Sequence, residues 1–313
     1  MSLAVRLATE EDSGGIRQLF SRAFGREMSE AEWRWKYPDN PDGWKAAIAL
    51  SEGEVVGHFG ASLAQALIAG TTRRVALLGD VATDPSARSL GRASALGGMA
   101  ETLFAELDRG DCPFGFGFPS PRHLKIGERL GYRERFPIIE LRFPLEPGID
   151  SARSWSDHAG PEFDALWETC RLSLSGGCLT RDGRRVNWRF HARPGRYYRM
   201  VTPSDGSGWG CLWVVDTVAT VVDFLPVPPA QESLPRLHAA LAAEAFSMGA
   251  RELRYWNPPG GPAAVPLARL ASESAAIRQP SGFSFVTAVV FDEEALSSFL
   301  YDLHLVPSFY DER

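Results

Sequence analysis

The sequence predicts an α/β (α+β) protein of two similar domains, each with a mixed, mostly antiparallel sheet flanked by helices. Three observations carry this expectation. Strand-like apolar runs and helical-spacing patterns alternate along the chain. The second half repeats much of the element order of the first. An aromatic-basic-aromatic triplet also recurs: Trp35-Lys36-Tyr37 ahead of Pro41, then Trp188-Arg189-Phe190 ahead of Pro194, 153 residues on. Gly57 and Gly210 show the same separation, each in the middle strand of its half. Gly117-Phe118-Pro119-Ser120-Pro121 is echoed by Tyr255-Trp256-Asn257-Pro258-Pro259, each closing a strand. Duplication follows. It divides the chain into a first domain (1–146), a polar linker (147–160) and a second domain (161–313).

Bulk properties agree. A chain of 313 residues suits one large domain or two ordinary ones, and 44% hydrophobic with 23% charged content is that of a globular protein. The net charge of -6 argues against general nucleic-acid binding. No apolar run is long enough for a membrane span, and the first residues lack a signal-peptide core. The four cysteines form no C-x-x-C pair, which argues against a zinc site. They read as reduced core residues of a cytoplasmic protein with no metal.

In chain order, Leu3 to Leu7 is a strand. Thr9-Glu10-Glu11-Asp12 resembles a capping box, opening a helix with Ile16, Leu19, Phe20 and Ala23 on one face. Ser29 caps a second helix through Trp33 and Trp35, which, with Trp188, read as packing anchors or as the lining of a substrate cleft. Strands follow at Ala46–Leu50, Val55–Leu67 and Arg73–Val81. The next helix places Leu96, Met99, Ala100, Leu103 and Leu107 on one face. Gly97 and Gly98 within it point to close packing, to a close ligand, or to mere tolerance. A strand from Cys112, a helix from Ser120 stopped by Gly131, and strands over Tyr132–Leu145 complete the first half.

The second half reads as a helix (Glu162–Leu174), a short helix or turn (Asp182–Phe190), and strands at Tyr197–Thr202, Gly210–Asp216 and Ala219–Val227. Ser233 caps the next helix, and Gly249 closes it. A strand at Glu252–Trp256, a helix at Pro266–Ala276, a strand at Phe283–Phe291 and a helix at Asp292–Leu303 follow. His191, His238 and His304 read as surface or core residues.

The stretch from Val81 to Ser94 carries the chemistry. A strand that ends in a small-residue loop feeding a helix presents unpartnered N–H groups and the positive end of the helix dipole. Gly91 admits close approach, and Arg88 and Arg92 add charge. A plain strand-to-helix turn with solvated arginines is the other reading. The corresponding turn of the second half, Pro226 to Glu232, holds three prolines and an acid but no glycine or basic residue. It should not bind an anion.

Arg88-Ser89-Leu90-Gly91-Arg92-Ala93 fits the [Q/R]-x-x-G-x-[G/A] pattern, and the chain here resembles the GCN5-related N-acetyltransferase (GNAT) superfamily. The likeness covers residues 3 to about 145, with residues 162–291 resembling the degenerate second copy of tandem members. The resemblance implies that backbone from Arg88 through Ser89, Leu90, Gly91, Arg92 and Ala93 to Ser94 cradles the pyrophosphate of acetyl-CoA. It implies that Val81, Ala82 and Thr83 pair with the pantetheine arm and supply an oxyanion donor. The product is then an acetylated primary amine, most simply a small molecule, with neither nucleic acid nor membrane as partner.

One departure stands out. Many members carry an acidic tyrosine four residues before the glycine that ends the later helix. Here that position is Gly127, and the usual asparagine position is Ser120. His123 and Tyr132 are the nearby candidates for the general acid. Solvent is the other source of the acid. Asp80 and His58 are candidates for the base, and each of these two has an equally plain structural reading. A non-catalytic acyl-CoA sensor therefore stands beside the enzyme. So does an aminoacyl-tRNA-dependent peptidyl transferase, which the intact loop and the acidic charge disfavour.

Overall fold

The computed structural model describes residues 3–85, 87, 92–148, 151–174, 176–257, 259–304 and 306. In chain order the first elements are β1 (Leu3–Leu7), α1 (Ser13–Phe24), α2 (Glu30–Lys36), β2 (Trp44–Ser51), β3 (Glu54–Ile68) and β4 (Thr71–Thr83). Next come α3 (Arg92–Arg109), β5 (Phe114–Gly117), α4 (Pro121–Gly127), β6 (Arg133–Pro144), β7 (Arg153–Ser156), α5 (Pro161–Arg171), β8 (Cys178–Leu179) and α6 (Gly183–Val186). Then follow β9 (Tyr198–Pro203), β10 (Gly208–Val215), β11 (Val218–Pro226), α7 (Ala230–Ser247), β12 (Glu252–Asn257), α8 (Ala264–Glu273), β13 (Ile277–Val290) and α9 (Glu293–Leu300).

The chain falls into two compact units that do not follow chain order. The first comprises Met1–Gln65, Arg73–Arg135 and Phe285–Glu293. Its strands run β1-β2-β3-β4-β5-β13. β1 and β3 flank β2 antiparallel, β4 and β5 are parallel, and β13 returns antiparallel on β5. The element after the parallel pair thus comes from the end of the sequence. Arg73 to Asp292 (2.6 Å) and Arg135 to the Thr287 hydroxyl (2.8 Å) hold it there. Phe285, fully buried, stacks on Phe116 at 5.2 Å between ring centroids.

Local chemistry explains the ends of the elements. The Thr9 N–H donates to Asp12 at 2.8 Å, and Arg6 clamps the same carboxylate. This is the reciprocal half of a capping box, closing a short 3-10 turn before α1. Ser29 accepts from the Glu32 N–H at 3.0 Å and starts α2. The two-residue β2–β3 turn has positive φ at Glu52 and Gly53, as a tight hairpin needs. α3 buries Leu96, Met99, Ala100, Leu103 and Leu107, the predicted face, against β1 and β2. Of its two glycines, Gly98 packs close to Val5 while Gly97 faces open space.

The second unit comprises Ala66–Thr72, Phe136–Ser284 and Glu294–Arg313. Its strands run β6-β12-β11-β10-β9-β7, and β8 pairs with Ala66–Leu67. β9, β10 and β11 are antiparallel, β11 and β12 parallel, and β6 returns antiparallel on β12. The pairing pattern therefore repeats that of the first unit. The glycines repeat it too. A Cβ on Gly57 would lie 2.9 Å from Met99 of α3, and one on Gly210 would lie 2.8 Å from Leu241 of α7. In each unit the middle strand gives up a side chain so that the long helix can seat a core residue.

Three details differ from the sequence reading. Arg153–Ser156, read as loop, pairs with β9 as an edge strand, its Trp155 lying under the Arg199 guanidinium. β13 begins at Ile277, ahead of the predicted Phe283. Ser233 does not cap α7. The helix already starts at Ala230, after Pro229, and the Ser233 hydroxyl donates back to the Val227 and Pro229 carbonyls. Proline pre-sets the helical entry, so the serine falls one turn inside.

Two expectations follow. Phe285→Ala should cost the fold about 3–5 kcal/mol by chemical denaturation. Its aromatic partners sit on β5 and the residues just after it. Burial holds the His238 imidazole down to about 4, and burial with the nearby Arg181 charge holds His304 down to about 3. Unfolded, each titrates near about 6.5. The unfolded chain therefore binds more protons between these values, and stability, full above about pH 6.5, falls as the pH drops toward about 4. Denaturation midpoints measured across that window should show the fall, and His238→Gln should flatten it.

Candidate functional site

Asp80 has φ of +53°, a left-handed residue inside the strand β4. Aspartate tolerates this region better than most residues, but it still needs support. Three groups supply it. The Lys36 ammonium and the Tyr37 hydroxyl each reach Oδ2 at 2.7 Å. The ring Nδ1 of His58 lies 2.8 Å from the Asp80 carbonyl oxygen. A carbonyl only accepts, so Nδ1 carries the proton and a neutral His58 is the Nδ1–H tautomer. The Asp80 side chain is 1% exposed and that of Lys36 is 13%. The ring of His58 is sealed under Phe20 and Tyr37 in edge-on contacts.

Beyond this kink β4 continues through Val81, Ala82 and Thr83. Val81 is exposed, Ala82 buried and Thr83 half-buried. Asp84 then anchors the strand: its N–H donates to the Val56 carbonyl at 2.8 Å, and its carboxylate pairs with Arg22 of α1 at 2.5 Å. The parallel ladder to β5 joins Ala76 to Gly115 and Leu77 to Phe116. β5 ends at Gly117, where a Cβ would sit 3.0 Å from the Leu78 carbonyl. β4 therefore outruns its parallel neighbour by the stretch that carries Asp80 to Thr83.

Arg88, Ser89, Leu90 and Gly91 lie outside the described residues, and Arg92, Ala93 and Ser94 form the first turn of α3. An 18-residue helix thus starts just after the overhanging end of β4. Ser120 and His123 stand together at the start of α4, hydroxyl to Nδ1 at 2.9 Å, with His123 exposed. Gly127 shows where a side chain is missing. A Cβ there would lie 2.4 Å from Cδ2 of Tyr132, so the tyrosine ring occupies the space. Burial pushes the Tyr132 phenol up, keeping it protonated at neutral pH.

The structure joins Asp80 with His58 and Ser120 with His123. Sequence reasoning missed Lys36 and Tyr37 as partners of Asp80, and Arg22 as partner of Asp84. The recurring triplet had singled out Lys36 and Tyr37, but only as a repeat. Among the described residues no cluster of His, Cys, Asp or Glu is suited to a metal, and no helix is long and apolar enough to cross a membrane. The four cysteines are buried and free, and burial raises the thiol pKa of each.

Removing one partner of a buried charge costs more than removing a neutral hydrogen bond. Tyr37→Phe should therefore cost about 1.5–3 kcal/mol, and Lys36→Met about 3–5 kcal/mol. Adding Asp80→Asn to Lys36→Met should recover part of the loss in urea titrations.

Comparison with known proteins bears on this geometry. The family described as acetyltransferase (GNAT) domain matches residues 4–135. No curated protein matches. A probable N-acyltransferase from Enterococcus faecalis V583, a conserved protein of unknown function, superposes with a TM-score of 0.68 at 13% identity, covering 95% of this chain and 75% of that one. A GCN5-related N-acetyltransferase from Kribbella flavida gives 0.63 at 18% identity, covering 94% and 72%. N-myristoyltransferase of Saccharomyces cerevisiae, solved with myristoyl-CoA, gives 0.56 at 8% identity, covering 91% and 78%. At these identities the structural likeness is one of fold. The GNAT acetyltransferase domain model thus matches residues 4–135, and the solved structures share the fold.

Proposed function

We propose that the first unit holds an acyl-CoA along the overhanging end of β4 and transfers the acyl group, acetyl in the simplest case, to a primary amine of a small molecule. The single observation that carries this is the mismatch between the two parallel strands. β4 runs on to Thr83 while β5 stops at Gly117, near the level of Leu78. Backbone groups of Val81, Ala82 and Thr83 can then pair with an extended amide-bearing arm as a strand would, beside the apolar side chain of Val81. The N-terminus of α3 and the loop before it suit the diphosphate. The bound thioester supplies the electrophilic carbonyl, and a strand N–H opposite the developing oxyanion stabilises it.

The remaining work is orientation and proton transfer. Asp80 and His58 serve it indirectly, by holding the kink in β4; both are buried and already engaged. Tyr132 is the proton donor to the departing thiolate. Its ring fills the place left by Gly127, and its phenol stays protonated. His123, exposed beside Ser120, is the group placed to keep the amine neutral. The second unit is a degenerate copy whose turn from Pro226 to Glu232 lacks a cofactor loop, and we take the protein to act in the cytoplasm. Gly127 favours a second reading, an acyl-CoA sensor without turnover.

Calorimetry with acetyl-CoA tests the binding step. Saturable binding by the native chain and none by Gly91→Glu is the expected result; no binding at millimolar acetyl-CoA would overturn both readings. Thiol release over a panel of amines separates enzyme from sensor. Tyr132→Phe should lower kcat about 100-fold with KM for the acyl-CoA nearly unchanged. An unchanged kcat would remove Tyr132 from the mechanism.

A further inference from the structure

Most strand glycines of this chain make room for a neighbour. A Cβ placed on Gly57, Gly60, Gly115, Gly117 or Gly210 would lie 2.5 to 3.0 Å from another atom. Gly79 of β4 differs: a Cβ there would meet nothing within 4 Å among the described residues. Its φ lies outside the left-handed region, so the backbone does not require a glycine. It stands between the buried Leu78 and Asp80 and is itself partly open to solvent. A glycine inside a strand weakens it unless something approaches closely there.

The neighbours of Gly79 show what could approach. Ala76 and Leu78 belong to the core under α3, and side chains alternate along a strand, so Gly79 opens on the face away from α3. A Cβ on Gly115 would meet Leu78, so Phe116 turns to the same face as Gly79. The ladder pairs Leu77 with Phe116, which sets Gly79 level with Phe118, just past the end of β5. Phe118 is 6% exposed and stands edge-on to the fully buried Phe285 at 5.6 Å. The open place over Gly79 therefore lies where β4 loses its parallel neighbour, beside aromatic rings. A diphosphate at the start of α3, with its arm running back along Thr83, Ala82 and Val81, brings the thioester to this point.

The second unit fills the same place. Asp223 stands three residues past the last parallel pair, Thr220 with Arg254, as Asp80 stands three past Leu77 with Phe116. Val222 thus answers to Gly79. It is 5% exposed and packs in the core that holds Phe163 and Trp167. The copy whose turn lacks a cofactor loop has a packed valine where the copy with the overhang has an open glycine.

We propose that the place over Gly79 receives the acyl chain of the bound thioester, and that Gly79 is the specificity-determining residue that admits chains longer than acetyl; this rests on the acyl-CoA reading of the first unit. The rings of Phe118 and Phe285 offer no hydrogen-bonding group, so the occupant is apolar.

Calorimetry on the full-length chain with coenzyme A, acetyl-CoA and butyryl-CoA tests this. Coenzyme A carries no acyl group, so affinities taken relative to it remove any general damage to the fold or the groove. The native chain should bind butyryl-CoA at least as tightly as acetyl-CoA. Gly79→Val, which installs the residue of the second unit, should weaken relative butyryl-CoA binding at least about tenfold. Gly79→Ala, a single added methyl, should show a smaller loss of the same sign. Unchanged relative affinities in both variants overturn the proposal alone. So does a loss for acetyl-CoA as large as that for butyryl-CoA, or a native chain that prefers acetyl-CoA about tenfold. Absence of binding of all three by the native chain overturns the acyl-CoA reading and this proposal with it.

Discussion

The buried carboxylate of Asp80 is the constraint on which the first unit depends. A left-handed aspartate in mid-strand costs about 1–3 kcal/mol, and a carboxylate sealed from water costs more unless it is paired. Lys36 and Tyr37 meet the second cost from α2, and His58 meets the first from β3. The kink therefore ties together two strands and a helix. It also sets where Val81, Ala82 and Thr83 emerge beyond β5. The surrounding aromatic cluster of Phe20, Trp33, Tyr37 and Trp44 keeps water from the pair.

The two units obey one plan and spend it differently. Each has an antiparallel meander, an 18-residue helix laid on a strand glycine, and a parallel pair capped by an antiparallel strand. In the first the strand over β5 comes from residues 286–290, and in the second the strand over β12 comes from residues 139–144. The first unit is therefore completed by a segment remote in sequence from the rest of it, and the Phe116–Phe285 stack forms only once the chain has reached that segment. In the second unit β11 also outruns β12 but leads into a proline-rich turn, and Arg189 and Phe190 stand in the triplet where the first unit has Lys36 and Tyr37.

Legibility followed the range of the forces. The α3 face was readable because helical spacing places Leu96, Met99, Ala100, Leu103 and Leu107 on one side whatever they meet. Gly57 and Gly210 were readable as a pair, though not as seats for Met99 and Leu241, because sequence records a missing side chain and not what fills its place. The edge strand Arg153–Ser156 was invisible: three polar residues and one tryptophan carry no alternation, and pairing with β9 alone defines it. Ser233 misled because its side chain can cap or back-bond, and the proline before it decided between them.

By itself the sequence determined the local periods, the turn chemistry and the motif by which residues 4–135 match a GNAT domain, since each depends on residues close together along the chain. The tertiary structure alone decided which strand covers β5, and that Asp80 is a held kink rather than an open base. It also decided that Tyr132 fills the space beside Gly127, and that the buried Arg181 of the second unit pairs with Asp223. Those facts depend on distances between residues tens to hundreds of positions apart. Burial and charge compensation act through space, and a linear pattern does not encode them.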